Sequence, residues 1–465
     1  MPGRQCAVVM ALVLGLSGCA DDGPPVGVVG HVSNYFGGVA ADEPQATLIG
    51  RDVLSAGGTA ADAAVAMAFA MMVTRPDVAG LGGGGVCMYF DKTANKAEAL
   101  DFLPRAARTR PPSGRWIASV PGSPRGLFAL HARYGQLRWE QTVLPAERMA
   151  RFGTPMPRGL IRAIAASPGR VAASPGLKAL LSDRNGKILA EGEALRQADL
   201  SGTLSNMRAV GPGPFHTAVQ ARQFIDSVRG AGGWLTIEDM RAYRPVWRKT
   251  ITMPFGNHML HFAPSPAVGG RVVAALWTAL GESGGFADAT PADRPRLIAS
   301  AANKAYGATL SRPNADRASA GLLVIDREGN AAACVLTMNR FFGSGRLLTG
   351  NGVVAVSPAD GGATLGVAPA LMVNHNVPQA FMAATGAGDG SAPIALATVM
   401  LGAVSAGQNM DEAMAAVRPR PSGGEGRAAA LVNIMLCPEG MLGKPDLCAV
   451  RSDPRGFGYA INAER

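Results

Sequence analysis

Ser319 is the residue whose type and surroundings could most readily do chemistry. It stands directly before an apolar run at 320–326, and after a turn at Gly329 a second apolar run, 331–338, carries Thr337 near its far end. An antiparallel hairpin would make Ser319 and Thr337 neighbours. A cut before Ser319 would leave a hydroxyl nucleophile and a free α-amine base on one residue.

The surrounding elements must hold this hairpin in place. From 119 to 308 apolar residues recur mainly at helical spacing, with strands predicted at 250–253 and 259–262. After Ser319 short β-branched strands alternate with glycine turns, and helices are predicted at about 392–406 and 411–417. This alternation indicates stacked layers, with sheets inside and helices outside.

The first two predicted helices and the glycine run that follows them can be recognised from local sequence patterns. Asp42 is predicted to cap a first helix that has proline in its first turn. Thr59 is predicted to cap a second helix, which is apolar nearly all round and should be buried. The glycine run at 80–85 leads into a strand rather than a helix, so we interpret it as close backbone packing and not as a phosphate loop.

Composition limits the classes of function. The chain has 465 residues, of which 48% are hydrophobic and 17% charged, so it can bury a sizeable core and is not typical of a disordered protein. The net charge of +10 comes mostly from scattered arginines. A nucleic-acid partner would favour a patch or stripe, so we predict none and expect a surface suited to anionic small molecules or membranes.

The first 19 residues resemble a bacterial lipoprotein signal peptide. Arg4 precedes an apolar stretch at 7–16, and Leu16-Ser17-Gly18-Cys19 has the form of a lipobox in which Cys19 would be lipidated. An ordinary cleaved signal peptide is the alternative. Residues 20–40 are predicted to be a linker. We therefore expect a protein held in the bacterial cell envelope by a lipid on its periplasmic face, and Ala20 favours the outer membrane.

The cysteines suggest structural roles. Cys87 and Cys334 lie in apolar strand-like runs and are predicted to be buried thiols. Cys437 and Cys448 flank a short loop and are predicted to form a disulfide, with free thiols as the alternative. Their spacings do not match those of metal ligands, and we predict neither a metal nor a cofactor.

Several further motifs follow one another in a consistent order. They are LSAGGTAADAAV (54–65), GLGGGG (80–85), EALDF (98–102), VPGS (120–123), YG (134–135), WLT (234–236), YRPVW (243–247), PSPAVGG (264–270), VIDREGN (324–330), FGSG (342–345) and TGAGDG (385–390). Together they resemble the γ-glutamyltransferase (γ-glutamyl transpeptidase) family of N-terminal nucleophile hydrolases, over nearly all of the chain that follows the leader.

The resemblance implies an α+β fold, a four-layer αββα sandwich. It implies a precursor that cleaves itself at Ala318–Ser319, which separates a large-subunit-like region, 41–318, from a small-subunit-like region, 319–465, and the two fragments then stay associated. The new terminal residue would form an acyl-enzyme with γ-glutamyl amides such as glutathione, and water or an amino acid would accept the acyl group.

The resemblance also assigns residues to roles. The nucleophile falls on Ser319 and the threonine that hydrogen-bonds it on Thr337. The asparagine that contacts the substrate amino group falls on Asn339. The oxyanion hole falls on Asp389 and Gly390.

Some positions depart from the family pattern. Leu103 stands where the arginine for the substrate carboxylate is expected, and Arg105, two residues on, would point the same way in a strand. The acid for the substrate amine falls on Gly361, beside Asp360. We therefore predict Arg105 and Asp360 as substrate-binding residues, with ordinary surface charges as the alternative reading.

Other departures concern the nucleophile and the serine pair of the family. Ser319-Ala320-Gly321 stands where Thr-Thr-His is usual, and Leu365-Gly366 where a pair of serines is usual. Two alternatives to γ-glutamyl chemistry follow: an amidase or acylase for another acyl group, and a non-catalytic envelope protein that retains the fold.

Overall fold

The computed structural model describes residues 37–109, 111–281, 284–307, 318–356, 358–359, 363–419 and 430–462. Within these residues two antiparallel sheets stack face to face, and helices pack on both outer faces. The fold is α+β, a four-layer αββα sandwich, as the sequence predicts.

The strands of the described residues are numbered in chain order. They are β1 Gly37–Ala41, β2 Gly84–Asp91, β3 Lys96–Asp101, β4 Arg105–Ala106, β5 Trp116–Ile117, β6 Ser119–Val120, β7 Thr154–Pro155, β8 Ala194–Leu195, β9 Gly233–Trp234, β10 Val246–Lys249, β11 Ile251–Phe255, β12 His258–Phe262, β13 Ser319–Asp326, β14 Ala331–Thr337, β15 Leu347–Leu348, β16 Val353–Val354, β17 Ala368–Asn374, β18 Gln379–Ala387, β19 Leu431–Leu436, β20 Ala449–Ser452 and β21 Tyr459–Ile461.

The helices are numbered in the same way. They are α1 Pro44–Ser55, α2 Ala60–Thr74, α3 Ser123–Tyr134, α4 Trp139–Phe152, α5 Arg158–Ala166, α6 Pro168–Ala172, α7 Pro175–Leu180, α8 Ala198–Val210, α9 Gly213–Thr217, α10 Val219–Gly230, α11 Ile237–Ala242, α12 Val268–Leu280, α13 Arg294–Gly307, α14 Ala392–Met400 and α15 Met410–Ala415. None of these helices is long and apolar enough to cross a membrane.

The first sheet has the strand order β10-β3-β2-β14-β13-β1-β21, and the second has the order β11-β12-β17-β18-β19-β20. The hairpin predicted around Ser319 lies in the middle of the first sheet. Its register pairs Ser319 with Thr337, as predicted. Because Ser319 begins β13, its side chain lies at the end of that strand.

Alternation along β13 decides which layer each residue faces. Leu322 and Val324 pack with α2 in the outer core, whereas Leu323 and Ile325 belong to the core between the two sheets. Side chains two residues apart share a face of a strand. Ser319 therefore has the orientation of Leu323 and faces the second sheet.

Helix α2 is the buried support of this strand. All fifteen of its residues are buried, because Ala, Met and Phe surround it on every side. Thr59 and Asp62 form the capping box that starts it, which confirms the predicted cap. The helix packs against β13 and β14 and so fixes the sheet from outside.

The glycine run is packed against backbone, as predicted. A Cβ atom at Gly84 would lie 2.2 Å from the carbonyl oxygen of Phe102, and one at Gly85 would lie 2.4 Å from that of Val335. Side chains at these positions would push β2 away from β14 and from the segment that follows β3.

Two predictions near the start of the chain were wrong in detail. Gly37 to Ala40 belong to β1, so the predicted linker 20–40 does not extend to residue 40. Asp42 does not cap α1, because Glu43 is the cap residue and its Oε2 accepts the N–H of Ala46 at 2.8 Å. Asp42 instead turns towards β13.

The cysteines form two disulfides. Cys437 and Cys448 are bonded, as predicted. Cys87 and Cys334 were predicted to be thiols, and this was wrong, because their sulfur atoms are bonded at 2.07 Å. They occupy directly paired positions on β2 and β14, a proximity that depends on the pairing of distant segments.

Candidate active site

The Ser319 hydroxyl lies at the start of β13, on the face that meets the second sheet. The residue is 6% exposed. The backbone N–H of Gly388 donates to Ser319 Oγ at 2.7 Å, and Oγ donates to the Gly366 carbonyl oxygen at 2.5 Å. The Gly388 carbonyl oxygen is 3.2 Å away. The hydroxyl is therefore held by backbone groups of the second sheet's connecting turns.

Both glycines are required by this arrangement. A Cβ atom at Gly366 would lie 2.9 Å from Ser319 Oγ and 2.6 Å from the Gly388 carbonyl oxygen. Gly388 has a φ of +112°, which side-chain-bearing residues rarely adopt. Sequence reasoning missed both, although Gly388 lies in the TGAGDG motif and Gly366 in the position of the family's serine pair.

The carbonyl before Ser319 has two donors. Thr337 Oγ1 donates to the Ala318 carbonyl oxygen at 2.8 Å, and not to the Ser319 hydroxyl as predicted, and the N–H of Met338 donates to the same oxygen at 3.3 Å. Thr337 Oγ1 also accepts the N–H of Asn339 at 2.9 Å, which orients its proton towards Ala318. The bond predicted to be cut thus has a polarised carbonyl and an adjacent hydroxyl.

Asn339 lies in the turn that follows β14, next to Thr337. It is 4% exposed and has a φ of +63°, the left-handed conformation that asparagine tolerates better than most residues. The turn it makes brings its backbone N–H to Thr337. The structure therefore brings Ser319, Thr337 and Asn339 together.

The carboxylate of Asp389 is hydrogen-bonded to Ser391 and not to Ser319. Its Oδ1 accepts the N–H of Ser391 at 2.9 Å and the Ser391 hydroxyl at 2.5 Å, which turns the side chain towards the start of α14. Tyr306 from α13 donates to the Gly390 carbonyl oxygen at 2.8 Å. The turn at 388–391 thus lies at a helix N-terminus, whose partial positive charge favours a developing anion.

Arg105 is engaged elsewhere. Its side chain is 44% exposed and donates to Asp101 at 3.1 Å, a carboxylate that Arg248 also contacts at 2.8 Å. The guanidinium lies 5.8 Å from the centre of the Tyr243 ring. Leu103 is 5% exposed and belongs to the core between the sheets. Asp360 and Cys19 lie outside the described residues.

A buried carboxylate, that of Asp42, contacts β13 at Gly321, two residues from Ser319. Asp42 is 3% exposed, and its Oδ2 accepts the Gly321 N–H at 2.7 Å. Burial raises the pKa of Asp42 to about 6, although the hydrogen bonds from Gly321 and Asn433 act in the opposite direction. Sequence reasoning missed this role because Asp42 also fits the pattern of a helix cap. Within the described residues no group of three or more His, Cys, Asp or Glu side chains could hold a metal ion.

Comparison with known proteins identifies relatives of this chain. The family model Gamma-glutamyltranspeptidase matches residues 46–282. Glutathione hydrolase 3 of Arabidopsis thaliana is 30% identical over 249 residues, which is 51% of this chain and 39% of that protein. Glutathione hydrolase proenzyme of Escherichia coli strain K12 is 27% identical over 385 residues, which is 70% of this chain and 66% of that protein. The chain spans only part of the length of these relatives.

Solved structures show the same architecture. Cephalosporin acylase from Bacillus halodurans superposes with a TM-score of 0.74 at 20% identity, over 93% of this chain and 96% of that chain. Helicobacter pylori gamma-glutamyltranspeptidase superposes with a TM-score of 0.50 at 26% identity, over 57% of this chain and 80% of that chain.

Proposed function

Because the chain belongs to the gamma-glutamyltranspeptidase family, we propose that it cuts itself at Ala318–Ser319 and then transfers an acyl group from an amide through Ser319. The observation that carries this proposal is the pair of contacts around the scissile bond. Thr337 Oγ1 and the N–H of Met338 both donate to the Ala318 carbonyl oxygen, while the Ser319 hydroxyl follows directly in the chain.

The first step is self-cleavage. Ser319 Oγ attacks the Ala318 carbonyl carbon, and negative charge forms on an oxygen that already has two donors. The C–N bond then breaks, the nitrogen takes the hydroxyl proton, and an ester joins Ala318 to Ser319 Oγ. Water hydrolyses the ester and leaves a carboxylate on Ala318 and a free amine on Ser319.

The second step is acyl transfer. The free α-amine, with an ordinary pKa of about 7.7–8.0, accepts the hydroxyl proton near neutral pH. Ser319 Oγ then attacks the substrate amide carbonyl, the protonated α-amine passes its proton to the leaving nitrogen, the amine product departs, and an acyl-enzyme remains. The N–H of Gly388 donates to Oγ, and the N–H groups of Asp389 and Gly390 follow it in the turn that precedes α14, which suits them to the oxyanion. Water or an amino acid then accepts the acyl group.

We propose γ-glutamyl amides such as glutathione as the first substrate class, which the family supports. Mass spectrometry of purified protein should find fragments that end at Ala318 and begin at Ser319. The cleaved form should then release p-nitroaniline from γ-glutamyl-p-nitroanilide, and Ser319→Ala should do neither. An intact chain with real turnover would refute the mechanism, and an intact inactive chain would favour a non-catalytic envelope protein.

A second candidate, an acylase for a less polar acyl group, is favoured by Leu103. This buried apolar side chain stands where the family pattern has the carboxylate-binding arginine, and Arg105 already contacts Asp101. A matched series of γ-glutamyl-, glutaryl- and butyryl-p-nitroanilide removes first the amine and then the carboxylate. The acylase proposal expects butyryl turnover to equal or exceed γ-glutamyl turnover; the reverse order supports the γ-glutamyl proposal. Arg105→Ala should raise KM for the first two substrates only if Arg105 binds the carboxylate.

We also propose that Cys19 carries a lipid that holds the protein on the periplasmic face of the outer membrane. The lipobox-like residues Leu16 to Cys19 support this proposal. Mass spectrometry should find diacylglycerol on Cys19, and Cys19→Ser should release the protein from the membrane fraction. Release of the natural protein without detergent would favour an ordinary cleaved signal peptide.

A further inference from the structure

We propose that Asp42 is a positioning residue, which holds the start of β13 and thereby aims the Ser319 hydroxyl. This inference rests on the proposed function, since it assigns a role in that reaction. Strand β1 pairs with β13 as far as Ala41 opposite Leu322. At the next row, opposite Gly321, Asp42 continues the contact with both its backbone and its side chain.

The contacts of Asp42 fix both polar groups of the Gly321 backbone. The N–H of Asp42 donates to the Gly321 carbonyl oxygen at 3.1 Å, and the N–H of Gly321 donates to Asp42 Oδ2 at 2.7 Å. Asn433 Nδ2 donates to Asp42 Oδ1 at 2.8 Å and lies 3.3 Å from the Gly321 carbonyl oxygen. Asp42 and Asn433 are 3% and 0% exposed, so water does not replace these bonds readily.

Movement at Gly321 is passed on to Ser319. The two residues are about 6.6 Å apart along the strand and face the same side. A Cβ atom at Gly321 would lie 2.3 Å from Thr385 Oγ1, so the second sheet closes directly over this glycine. After cleavage Ser319 becomes a chain end, and chain ends fray unless they are held. Strand β14 holds one side of this end and Asp42 holds the other.

The hydrogen-bond partners of Asp42 suit its ionised form, although burial outweighs them and raises the pKa of the carboxyl overall. Both groups that meet its carboxylate oxygens, the Gly321 N–H and the Asn433 amide, are donors. Protonation would place an O–H opposite one of these donors, so that a hydrogen bond is lost and the Gly321 backbone is less firmly positioned. The charged groups near Asp42 are Glu43, Arg75, Asp77 and Asp453. Asp42 also lines a cavity of about 400 Å³, through which water and protons can reach it, and Arg158 and Glu191 line the same cavity.

Asp326 provides a matched control. It lies at the other end of β13, is 2% exposed, and also accepts backbone N–H groups, those of Ala60 at 2.9 Å and Asn330 at 3.0 Å. Burial raises the pKa of Asp326 too. Asp326→Asn therefore disturbs a similar buried carboxylate on the same strand, far from Ser319.

The first test is the pH profile of turnover, with γ-glutamyl-p-nitroanilide as the probe. At pH 7.5 we expect Asp42→Asn to lower kcat by about 10- to 100-fold, the effect of a lost hydrogen bond to a charged group. In the natural protein, a plot of log kcat against pH should fall with a slope of one on its acid side, where the Ser319 amine takes up a proton. The slope should rise to two below about pH 6, where Asp42 also takes up a proton. In Asp42→Asn the slope should stay at one at all acid pH values, and in Asp326→Asn the change to a slope of two should remain. A second proton that persists in Asp42→Asn would overturn the proposal.

The second test does not depend on activity. Hydrogen exchange of the Gly321 amide should be at least about tenfold faster in Asp42→Asn and unchanged in Asp326→Asn. An unchanged Gly321 amide in Asp42→Asn overturns the proposal, whatever the turnover. Faster exchange in a protein that neither cleaves itself nor turns over substrate would support the contact by which Asp42 positions β13. It would refute only the proposed reaction.

A milder variant guards against a failure to fold. Asn433→Ser removes the donor to Asp42 Oδ1 and leaves the bond from Gly321. The second proton should then be taken up at a higher pH than in the natural protein. A midpoint that stays in place would contradict the assignment of that proton to Asp42.

Discussion

Cys87 on β2 and Cys334 on β14 lie directly opposite each other in the first sheet, and a disulfide joins them across 247 positions of the chain. The Ala318–Ser319 bond lies between them in sequence. The disulfide therefore connects the predicted 41–318 region covalently to the 319–465 region.

The first prediction is that self-cleavage leaves a single covalent molecule. On a denaturing gel without reductant the mature protein should run as one band, and with reductant it should separate into the fragments that end at Ala318 and begin at Ser319. Replacing both Cys87 and Cys334 by serine should separate the fragments without reductant.

The second disulfide supplies the control for this experiment. Cys437 and Cys448 both belong to the 319–465 region, so replacing them should not separate the fragments. Two bands from the natural protein without reductant would contradict the Cys87–Cys334 bond. One band after full reduction would contradict the cleavage.

The second prediction concerns Thr337. Thr337→Val keeps the shape of the side chain and removes the hydroxyl that donates to the Ala318 carbonyl oxygen. We expect self-cleavage to slow by about 10²- to 10³-fold, as for the loss of an oxyanion donor. A time course of precursor disappearance, started by refolding, measures this.

Thr142→Val is its control. Thr142 is fully buried in α4, and its hydroxyl donates to the Trp139 carbonyl oxygen within the same helix. Both variants lose one buried hydroxyl, but only Thr337→Val should change the cleavage rate. Equal rates in the two variants would exclude Thr337 from the cleavage step.

The third prediction concerns Gly366. Gly366→Ala would place a methyl group 2.9 Å from Ser319 Oγ, against a backbone carbonyl that cannot move away easily. We expect the hydroxyl to be displaced and both cleavage and turnover to fall by at least about tenfold, equivalent to ~1.4 kcal/mol. Gly202→Ala in α8 meets no atom within 4 Å and should stabilise the protein by about 0.5–1 kcal/mol without lowering activity. Full activity in Gly366→Ala would show that Ser319 does not need its present position.

The fourth prediction is a pH dependence of stability. Burial raises the pKa of Asp42 from 3.8 to about 6, so the folded state binds this proton more tightly than the unfolded state does. The contribution of Asp42 to the free energy of unfolding is thus greatest below about pH 4 and falls by about 3 kcal/mol as the pH rises through 6.

Urea unfolding of the natural protein and of Asp42→Asn, from pH 4 to pH 7, measures this contribution. The difference between the two free energies of unfolding should fall as the pH rises, because other carboxylates contribute equally to both proteins. A difference that grew with pH would mean that folding lowers the pKa of Asp42.

The sequence by itself determined the local and periodic features. Apolar runs around Gly329 set the hairpin and therefore the pairing of Ser319 with Thr337, because a short turn leaves little freedom of register. The Thr59 and Asp62 pair fixed the start of α2 within a single helical turn. Motif order was sufficient to give the family and with it the αββα layers.

The tertiary structure alone decided what surrounds the Ser319 hydroxyl. Gly366 and Gly388 lie 47 and 69 positions away in the chain, and Asp42 lies 279 positions from its partner Gly321. The bond between Cys87 and Cys334 depends likewise on which strands become neighbours. Strand pairing within the first sheet fixes the Asp42 and cysteine contacts, and the stacking of the two sheets brings Gly366 and Gly388 to Ser319. Hydrophobic burial drives this stacking without reference to sequence distance. Asp42 therefore matched a helix cap in sequence and became a support of β13 in the fold.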